Sequence, residues 1–248
     1  MTLLLLYLIA FQAPAEPAFS SDRPDQSDAP ATVGAGYFQL EAGFQRTHYD
    51  TDFNDIDIDQ VPVALLRIGI SEDFELRLGY DGFIDIDAGR FDGNDGSGDG
   101  HLGFKWRFHN GDSGQWALIG DTNLTVGDDD IVSDEIEPSL KLAYGGGLTD
   151  SISFGANFGV STQDEDGDLE TNGLYSVVLG FSVSERVGAF VEVFGEIPAS
   201  AEGRPRNSAD AGLTFTITET FQWDVAVSAG ISETAPDWAA TTGFAYRF

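Results

Sequence analysis

The chain has 248 residues, with 12 Lys and Arg against 42 Asp and Glu, and it contains no cysteine. Its formal net charge of −30 argues against nucleic acid as a partner, because phosphates would be repelled. The lack of cysteine excludes disulfides, thiolate metal sites and cysteine nucleophiles.

The N-terminus opens on a short apolar run, MTLLLLYLIAF, followed by QAPAEPAFS. This is the pattern of a secretory signal peptide, with Ala13-Pro14-Ala15 or Ala18-Phe19-Ser20 as the cleavage site. No Lys or Arg precedes the run, so a membrane anchor or a buried strand is the alternative. We therefore divide the chain into a signal peptide (1–20), a Pro- and Asp-rich segment (21–35) and a folded domain (36–248).

From residue 36 onward, apolar and polar residues alternate with a period of two, which predicts half-buried strands. In DFELRLGYDG, for example, Phe74, Leu76 and Leu78 share one face, and Glu75 and Arg77 share the other. About twelve such strands follow, each close to the ~10 residues of a tilted membrane-spanning strand. They begin near residues 36, 60, 73, 100, 115, 136, 151, 173, 186, 209, 221 and 237.

The predicted connections alternate between short and long. Four short turns share an aliphatic residue, a Ser or Thr, and an acid: Ile70-Ser71-Glu72, Leu148-Thr149-Asp150, Val183-Ser184-Glu185 and Ile217-Thr218-Glu219. The longer segments are mostly acidic: YDTDFNDIDID, DAGRFDGNDGSGD, GDDDIVSDE and TQDEDGDLET. Short periplasmic turns and long external loops are typical of outer-membrane barrels.

The placement of charge indicates which solvent the apolar face meets. One face has no ionisable residue in the core of any predicted strand, and the other carries many Asp, Glu, Lys and Arg. A soluble sandwich also alternates, but aromatic residues near the strand ends favour the girdles of a membrane barrel. A free sheet edge in lipid would also leave backbone groups unpaired. We therefore predict an all-β fold: a closed antiparallel transmembrane β-barrel of about 12 strands, in the outer membrane of a Gram-negative-type cell.

The C-terminal strand carries Phe244 and Tyr246 on its apolar face and finishes on Phe248. Such a strand resembles the signal that barrel insertion machinery reads in outer-membrane proteins. The resemblance implies insertion machinery as a partner through Phe248, in addition to outer-membrane lipid.

The segment SDRPDQSDAPATVGAGYFQLEAGF resembles the opening of the family labelled MetA-pathway of phenol degradation. The matching residues are Asp22, Arg23, Pro24, Asp25, Pro30, Gly36, Gln39, Leu40, Glu41, Gly43 and Phe44. LRLGYDGF (76–83), PSLKLAY (138–144), DAGLTFTIT (210–218) and the final YRF match in the same order. The resemblance implies an outer-membrane channel or transporter for small aromatic or other hydrophobic compounds.

The polar face supplies candidates for a constriction inside the barrel, since charged walls select solutes. They are Arg67, Arg77, Lys105, Arg107, Lys141, Arg247, Glu41, Glu75, Asp81, Glu192 and Asp224. The basic residues of the second to fourth strands would face a polar or acidic wall on the seventh to eleventh. The alternative is that these groups pair across the lumen and close it, because a barrel of this size is narrow.

Three aromatic residues, Phe83, Phe190 and Phe194, are predicted to point inward near the external end. They would bind a hydrophobic solute or, alternatively, pack beneath the loops. The segment 20–36 is too rich in Pro and acids to be a strand. It would either hang in the periplasm or enter the pore, where Arg23 could pair with an acid of the lumen.

Acidic loops provide weak metal candidates, Asp164, Asp166 and Asp168, which resemble part of a calcium loop without its full spacing. Divalent cations bridging to lipid headgroups are one interpretation, and solvated, mutually repelling loops are the other. No Ser-His-acid set can be assembled around the three histidines, so we expect neither an enzyme nor a bound cofactor. The predicted function is passive uptake of a small solute; the alternative is a structural or surface-interaction barrel with a closed lumen.

Overall fold

The computed structural model describes residues 17–51, 53–165, 168–201 and 203–248. Most of the predicted signal peptide, residues 1–16, therefore lies outside the described residues. Within the described ranges there are fourteen strands: β1 (Phe38–Asp50), β2 (Asp55–Ser71), β3 (Phe74–Tyr80), β4 (Phe83–Asp87), β5 (Asn94–Ser97), β6 (Gly100–Gly111), β7 (Gly114–Asn123), β8 (Ser139–Gly147), β9 (Ile152–Glu165), β10 (Asp168–Ser182), β11 (Val187–Pro198), β12 (Arg206–Thr218), β13 (Phe221–Gly230) and β14 (Trp238–Arg247). In these ranges no helix combines the length and apolar character needed to cross a membrane.

The sheet closes on itself because β1 pairs with β14 on one side and with β2 on the other. The β1–β14 ladder runs antiparallel from Gln39 opposite Arg247 to His48 opposite Trp238. Strands β3 and β4 both pair with β2, so together they count as one interrupted strand. Strands β6 and β5 pair with β3 and β4 in turn, and they likewise count as one interrupted strand. The predicted closed antiparallel barrel of twelve strands is confirmed.

The two faces of the sheet have the reverse polarity of a water-soluble protein. Charged side chains on the inner face are almost completely buried, with Lys105 at 0% exposure and Glu41 at 1%. Large apolar side chains on the outer face are open, with Phe158 at 57% and Val227 at 59%. Burial of charge with exposure of hydrocarbon is stable only where the outer solvent is apolar.

Four of the short turns are built by the Ser or Thr that the sequence pattern identified. The hydroxyls of Ser71, Thr149, Ser184 and Thr218 each accept a hydrogen bond of 3.3 Å from the amide two residues ahead. A hydroxyl that bonds its own backbone in this way closes a turn without glycine. These turns mark one end of the barrel, here called the turn end, and the opposite end is the loop end.

The loop end contains more strand than the sequence predicted. The segments YDTDFNDIDID and DAGRFDGNDGSGD were expected to be loops, but β1 reaches Asp50, β2 begins at Asp55, and β5 occupies Asn94–Ser97. The reason is that isoleucines and aspartates alternate with a period of two in these acidic segments. Ile58 pairs with Ile86, and the aspartates between such isoleucines lie on the other face of the sheet. The strands therefore project beyond the ring as a ribbon whose carboxylates face water.

Aromatic pairs surround the turn end. Trp116 contacts Tyr144 in a tilted arrangement with ring centroids 4.8 Å apart, and Phe215 stacks on Trp223 at 5.1 Å. Phe38 stacks on Phe248 at 5.8 Å, which seals the junction between the first and last strands. These are normal aromatic contact distances, and a belt of rings at the edge of the apolar zone is the arrangement found at membrane interfaces.

Candidate functional site

Residues 17–37, here called the inner segment, lie inside the barrel. Arg247 of β14 donates a hydrogen bond of 2.7 Å to the carbonyl of Pro17 at the turn end. The segment rises to the middle of the lumen and returns, so that the hydroxyl of Thr32 donates a 2.6 Å bond to the carbonyl of Glu72 in a turn. The inner segment is therefore a loop with both ends at the turn end, and it joins β1 directly.

Asp22 of the inner segment accepts contacts from three basic side chains. Its carboxylate lies 2.6 Å from Arg77, 2.8 Å from Lys105 and 3.5 Å from Arg67. These three residues, which we call the basic wall, come from adjacent strands β3, β6 and β2. A carboxylate shared among three cations compensates charges that would otherwise be costly to bury.

Arg67 is fully buried and uses its whole guanidinium group. It donates to Glu75 at 2.8 Å and to Glu41 at 3.1 Å. It also donates to the backbone carbonyls of Ser20 and Ala31, at 3.0 Å and 2.8 Å. One side chain thus ties two strands to both arms of the inner segment.

A second acid of the inner segment, Asp28, reaches across the lumen. Its carboxylate lies 2.9 Å from Arg77 and also contacts Lys141. Asn157 of β9 bonds the Asp28 backbone twice, accepting from its amide at 2.7 Å and donating to its carbonyl at 3.0 Å. The charges of the basic wall are therefore neutralised by the inner segment, which also pairs with Lys141 at the edge of a cavity described below.

The opposite wall holds the inner segment through acids. Arg23 pairs with Asp224 at 3.1 Å, and it also donates to the hydroxyl of Thr241 at 2.9 Å. Glu192 accepts from the backbone amide of Gln26 at 2.7 Å. The predicted possibility that Arg23 pairs with an acid of the lumen is thus the arrangement that the structure shows.

The other predicted lumen residues are spread along the barrel. Arg107 lies at the rim of the turn end, where it pairs with Asp73 at 2.8 Å. Arg247 also lies there, with its guanidinium 5.3 Å from the ring centre of Tyr37. Asp81 contacts His101 at 2.9 Å on the loop side of the basic wall. The structure therefore does not bring Arg107 or Asp81 to the basic wall.

Two of the three aromatic predictions need correction. Phe83 does not point inward: it pairs with Val61 on the outer face and is 47% exposed. The interruption at Gly82, which has a φ of +86°, shifts the alternation between β3 and β4 by one residue. Phe190 does point inward, but it lies in the turn-side half of β11 and not near the external end, because β11 begins at the turn end with Val187.

Two cavities flank the inner segment along the β8–β14 side of the barrel. The loop-side cavity has a volume of about 330 Å³ and includes Phe194 in its lining. The turn-side cavity, of about 400 Å³, is lined in part by Phe190. Pro24 borders both cavities, and Glu192 lies between the two phenylalanines on the same strand face.

A row of three carboxylates, Asp25, Glu192 and Asp210, stands at this boundary, and we call it the carboxylate neck. Glu192 and Asp210 are direct cross-strand partners on β11 and β12. Both are more than nine-tenths buried, at 3% and 8% exposure. Across the described ranges, Oδ1 of Asp210 has no hydrogen-bond partner.

Within the inner segment the two acids Asp22 and Asp25 have opposite environments. Burial disfavours the charge of Asp22, but Arg67, Lys105 and Arg77 outweigh it and lower the pKa of this carboxyl. Burial raises the pKa of Asp25 well above its ordinary value, and the neighbouring Glu192 raises it further. One acid is therefore fixed as an anion by the basic wall, and the other carries its charge at a cost.

The weak metal candidates do not form a cluster in the part of the chain that is described. No group of three or more His, Cys, Asp or Glu suited to a metal ion is found there. Asp164 accepts a bond from the Ser133 hydroxyl at 3.1 Å, and Asp168 pairs in register with Glu165. Asp166 lies outside the described residues.

Sequence reasoning missed the partners that the inner segment supplies. Asp22, Asp25 and Asp28 were not predicted as site residues, although Asp-Arg-Pro-Asp was part of the family pattern. Asp210 opens the family-matching segment DAGLTFTIT, but nothing in the local pattern indicates that it faces Glu192. Only the register of β11 and β12 brings them together.

Comparison with known proteins agrees with this architecture. Residues 21–248 match the model of the family described as "Putative MetA-pathway of phenol degradation". The chain belongs to this family. No curated protein matches the chain.

Several solved structures share the fold at low sequence identity. The COG4313 outer membrane channel from Pseudomonas putida F1 has a TM-score of 0.71 at 10% identity, covering 91% of this chain and 100% of that one. The KdgM porin gives a TM-score of 0.58 at 9% identity, covering 84% and 99%. The translocator domain of the autotransporter NalP from Neisseria meningitidis also gives 0.58, at 14% identity, covering 87% and 89%. The chain of the MetA-pathway family thus has an outer-membrane channel fold.

Proposed function

We propose that the protein is a passive channel of the outer membrane for a small solute of aromatic or otherwise hydrophobic character. The observation that carries this proposal is the pair of cavities on either side of the inner segment, with Phe194 in one and Phe190 in the other. A solute moving along the β11 face would leave one ring and meet the next. Cavities of a few hundred Å³ are large enough for a single-ring compound.

The inner segment favours a narrow path over a wide pore. It fills the side of the lumen next to the basic wall, where Arg67 and Lys105 are completely buried. This filling also supports the second candidate, a structural or surface-interaction barrel whose lumen is closed. The two functions differ in whether any solute crosses the protein.

Liposome swelling tests the proposal. Liposomes that contain the refolded protein are exposed to a sugar and to a phenyl glycoside, both of which cross bare lipid slowly. We expect entry of the phenyl glycoside to fall when Phe190 and Phe194 are replaced by alanine, with less change for the sugar. Phe91→Ala, on the exposed loop between β4 and β5, is the matched control.

If the barrel is folded and neither solute makes the liposomes swell, transport is contradicted and the closed structural barrel is favoured. Equal loss of swelling for both solutes in the double variant would contradict the aromatic preference but not the channel.

We also propose that the export signal is cut after Ala15. Arg247 bonds the carbonyl of Pro17, and both Gln39 and Arg67 bond that of Ser20. Cleavage after Ser20 would remove Pro17 and break the peptide at the Ser20 carbonyl. The mass of the exported protein tests this: a chain that starts at residue 16 is expected, and one that starts at residue 21 would contradict it.

A further inference from the structure

We propose that the carboxylate neck is a binding site for a small organic cation, namely an ammonium group on an apolar body. This inference deepens the proposed function, because it assigns a charge to the solute that the channel accepts. It depends on the position of three acids in the described lumen and on the cavities that reach them.

In the described lumen the neck has acids without matching bases. Glu192 and Asp210 face each other across β11 and β12, and Asp25 interacts electrostatically with both. The ion pairs of the described residues include none with these three acids. The carboxyls of Glu192 and Asp210 hydrogen-bond each other, which requires a proton held between them because two carboxylates are both acceptors. A bound cation would replace this proton and let both acids ionise.

Two cations close to the neck are paired with other acids. Arg23 pairs with Asp224, and Lys141 contacts Asp28. Arg206 also borders the loop-side cavity, but it is exposed at the loop end of β12, and its cross-strand partner is Glu196, not an acid of the neck. Besides Asp210, the described groups that bond Glu192 are the Gln26 amide and the Ser27 hydroxyl, which stabilise negative charge without supplying a positive one.

One carboxyl oxygen of the neck has an unfilled hydrogen-bonding position. Asp210 is 8% exposed and lines the loop-side cavity, and its Oδ1 accepts no hydrogen bond from the part of the chain that the structure describes. A buried acceptor left without a donor costs about 1–3 kcal/mol. An ammonium group has charged donors that can fill this position. An anionic aromatic compound lacks such donors, and a neutral one fills the position less well.

Apolar side chains line both cavities beside the acids. Phe194 and Leu174 line the loop-side cavity together with Tyr49, and Phe190 lines the cavity on the turn side. A ring attached to the ammonium group could occupy either cavity while the charge stays at the neck. The strongly acidic loops would also concentrate cations at the entrance.

The test is equilibrium binding to the refolded protein in detergent by isothermal titration calorimetry. The probes are benzylammonium, benzyl alcohol and benzoate, which share a ring and differ in charge. We expect benzylammonium to bind at least about tenfold more tightly than benzyl alcohol, equivalent to about 1.4 kcal/mol, and benzoate to bind most weakly. Glu192→Gln with Asp210→Asn should remove this preference while leaving benzyl alcohol unaffected.

The matched control is Asp168→Asn with Glu170→Gln, which removes the same two charges from β10 near the loop end. The double neck variant is expected to fold, because amides of the same shape replace two hydrogen-bonded carboxyls and can hydrogen-bond each other in the same place. Asp210→Asn alone provides a second variant, with an intermediate loss expected. Equal affinity for the three probes, no measurable benzylammonium binding, or an unchanged preference in the neck variants would overturn the proposal. Binding in detergent requires no passage, so this result is independent of the swelling experiment.

Discussion

The two walls of the lumen use charge in opposite ways. On the basic wall, Arg67, Arg77 and Lys105 meet Asp22 within 3.5 Å, and all three basic residues are more than nine-tenths buried. On the β11–β12 side, Glu192 and Asp210 face each other, and cavities open above and below them. The comparison shows that one wall anchors the inner segment and the other wall borders the space that remains.

This difference changes how the net charge of the chain should be understood. Most carboxylates on the loops are solvated, but those inside the barrel have distinct roles set by their neighbours. Asp22 and Asp28 compensate cations, whereas Asp25, Glu192 and Asp210 lack them. The same residue type thus locks one side of the lumen and, on the other side, forms a group of carboxyls that no cation of the described residues pairs with.

The largest effect is expected from Asp22→Asn, which removes the shared partner of three buried cations. Breaking a buried ion pair from one side costs about 3–5 kcal/mol, so the inner segment should leave the basic wall. Single-channel recording in a planar bilayer should then show several-fold higher conductance. Asp95→Asn on β5 is the control for charge, and equal conductance in both variants would contradict the anchoring role of Asp22.

A smaller effect in the same direction is expected from Gly69→Ala. A Cβ at this position would overlap the carbonyl oxygen of Gly34, so the last turn of the inner segment must move. The 2.9 Å hydrogen bond that the Gly36 amide donates to the Gly69 carbonyl would be lost. We expect raised conductance with the barrel intact. In Gly147→Ala the nearest atom to the new Cβ lies 3.7 Å away, so the conductance should match that of the wild type. Equal conductance of Gly69→Ala and Gly147→Ala would contradict the close contact at Gly69.

The neck should respond to pH in a way that the basic wall does not. Burial and then Glu192 raise the pKa of Asp25, so this carboxyl gains its charge only at a pH above its ordinary range. Benzylammonium should therefore bind more tightly as the pH rises from about 5 to about 8, a range in which alkylammonium groups stay protonated. Titrations across this range check the direction; affinity that is constant or falls would show that the neck does not bind the cation through its charge.

The smallest effect is expected at a turn. In Ser184→Ala the hydroxyl that accepts the Arg186 amide at 3.3 Å is lost. An exposed hydrogen bond of this kind contributes about 0.5–1.5 kcal/mol, so the urea midpoint of refolding into detergent micelles should fall slightly. Conductance should not change, and a change in conductance would mean that the turn contributes to the path.

The ring of strands was predictable because its signal is local. A two-residue period, aromatic residues at strand ends and a Ser or Thr in each of four turns specify strand, face and turn without knowledge of distant partners. The predicted face of Phe83 is wrong because Gly82 interrupts the alternation. The predicted ends of the strands are wrong where aspartates alternate with isoleucines. The site was less predictable, because its partners are joined by closure of the barrel: Arg23 and Asp224 are far apart in sequence, and Asp210 meets Glu192 only through register.

Occupation of the lumen by the inner segment is the claim on which the rest depends, and the absence of native cysteine makes it directly testable. The hydroxyls of Ser27 and Ser176 lie 2.6 Å apart, so cysteines at both positions should form a disulfide under mild oxidation in the intact outer membrane. The account predicts this cross-link, detected on gels after cleavage of an engineered protease site in an external loop. Independent labelling of both cysteines by a membrane-impermeant maleimide, with no cross-link, would contradict it.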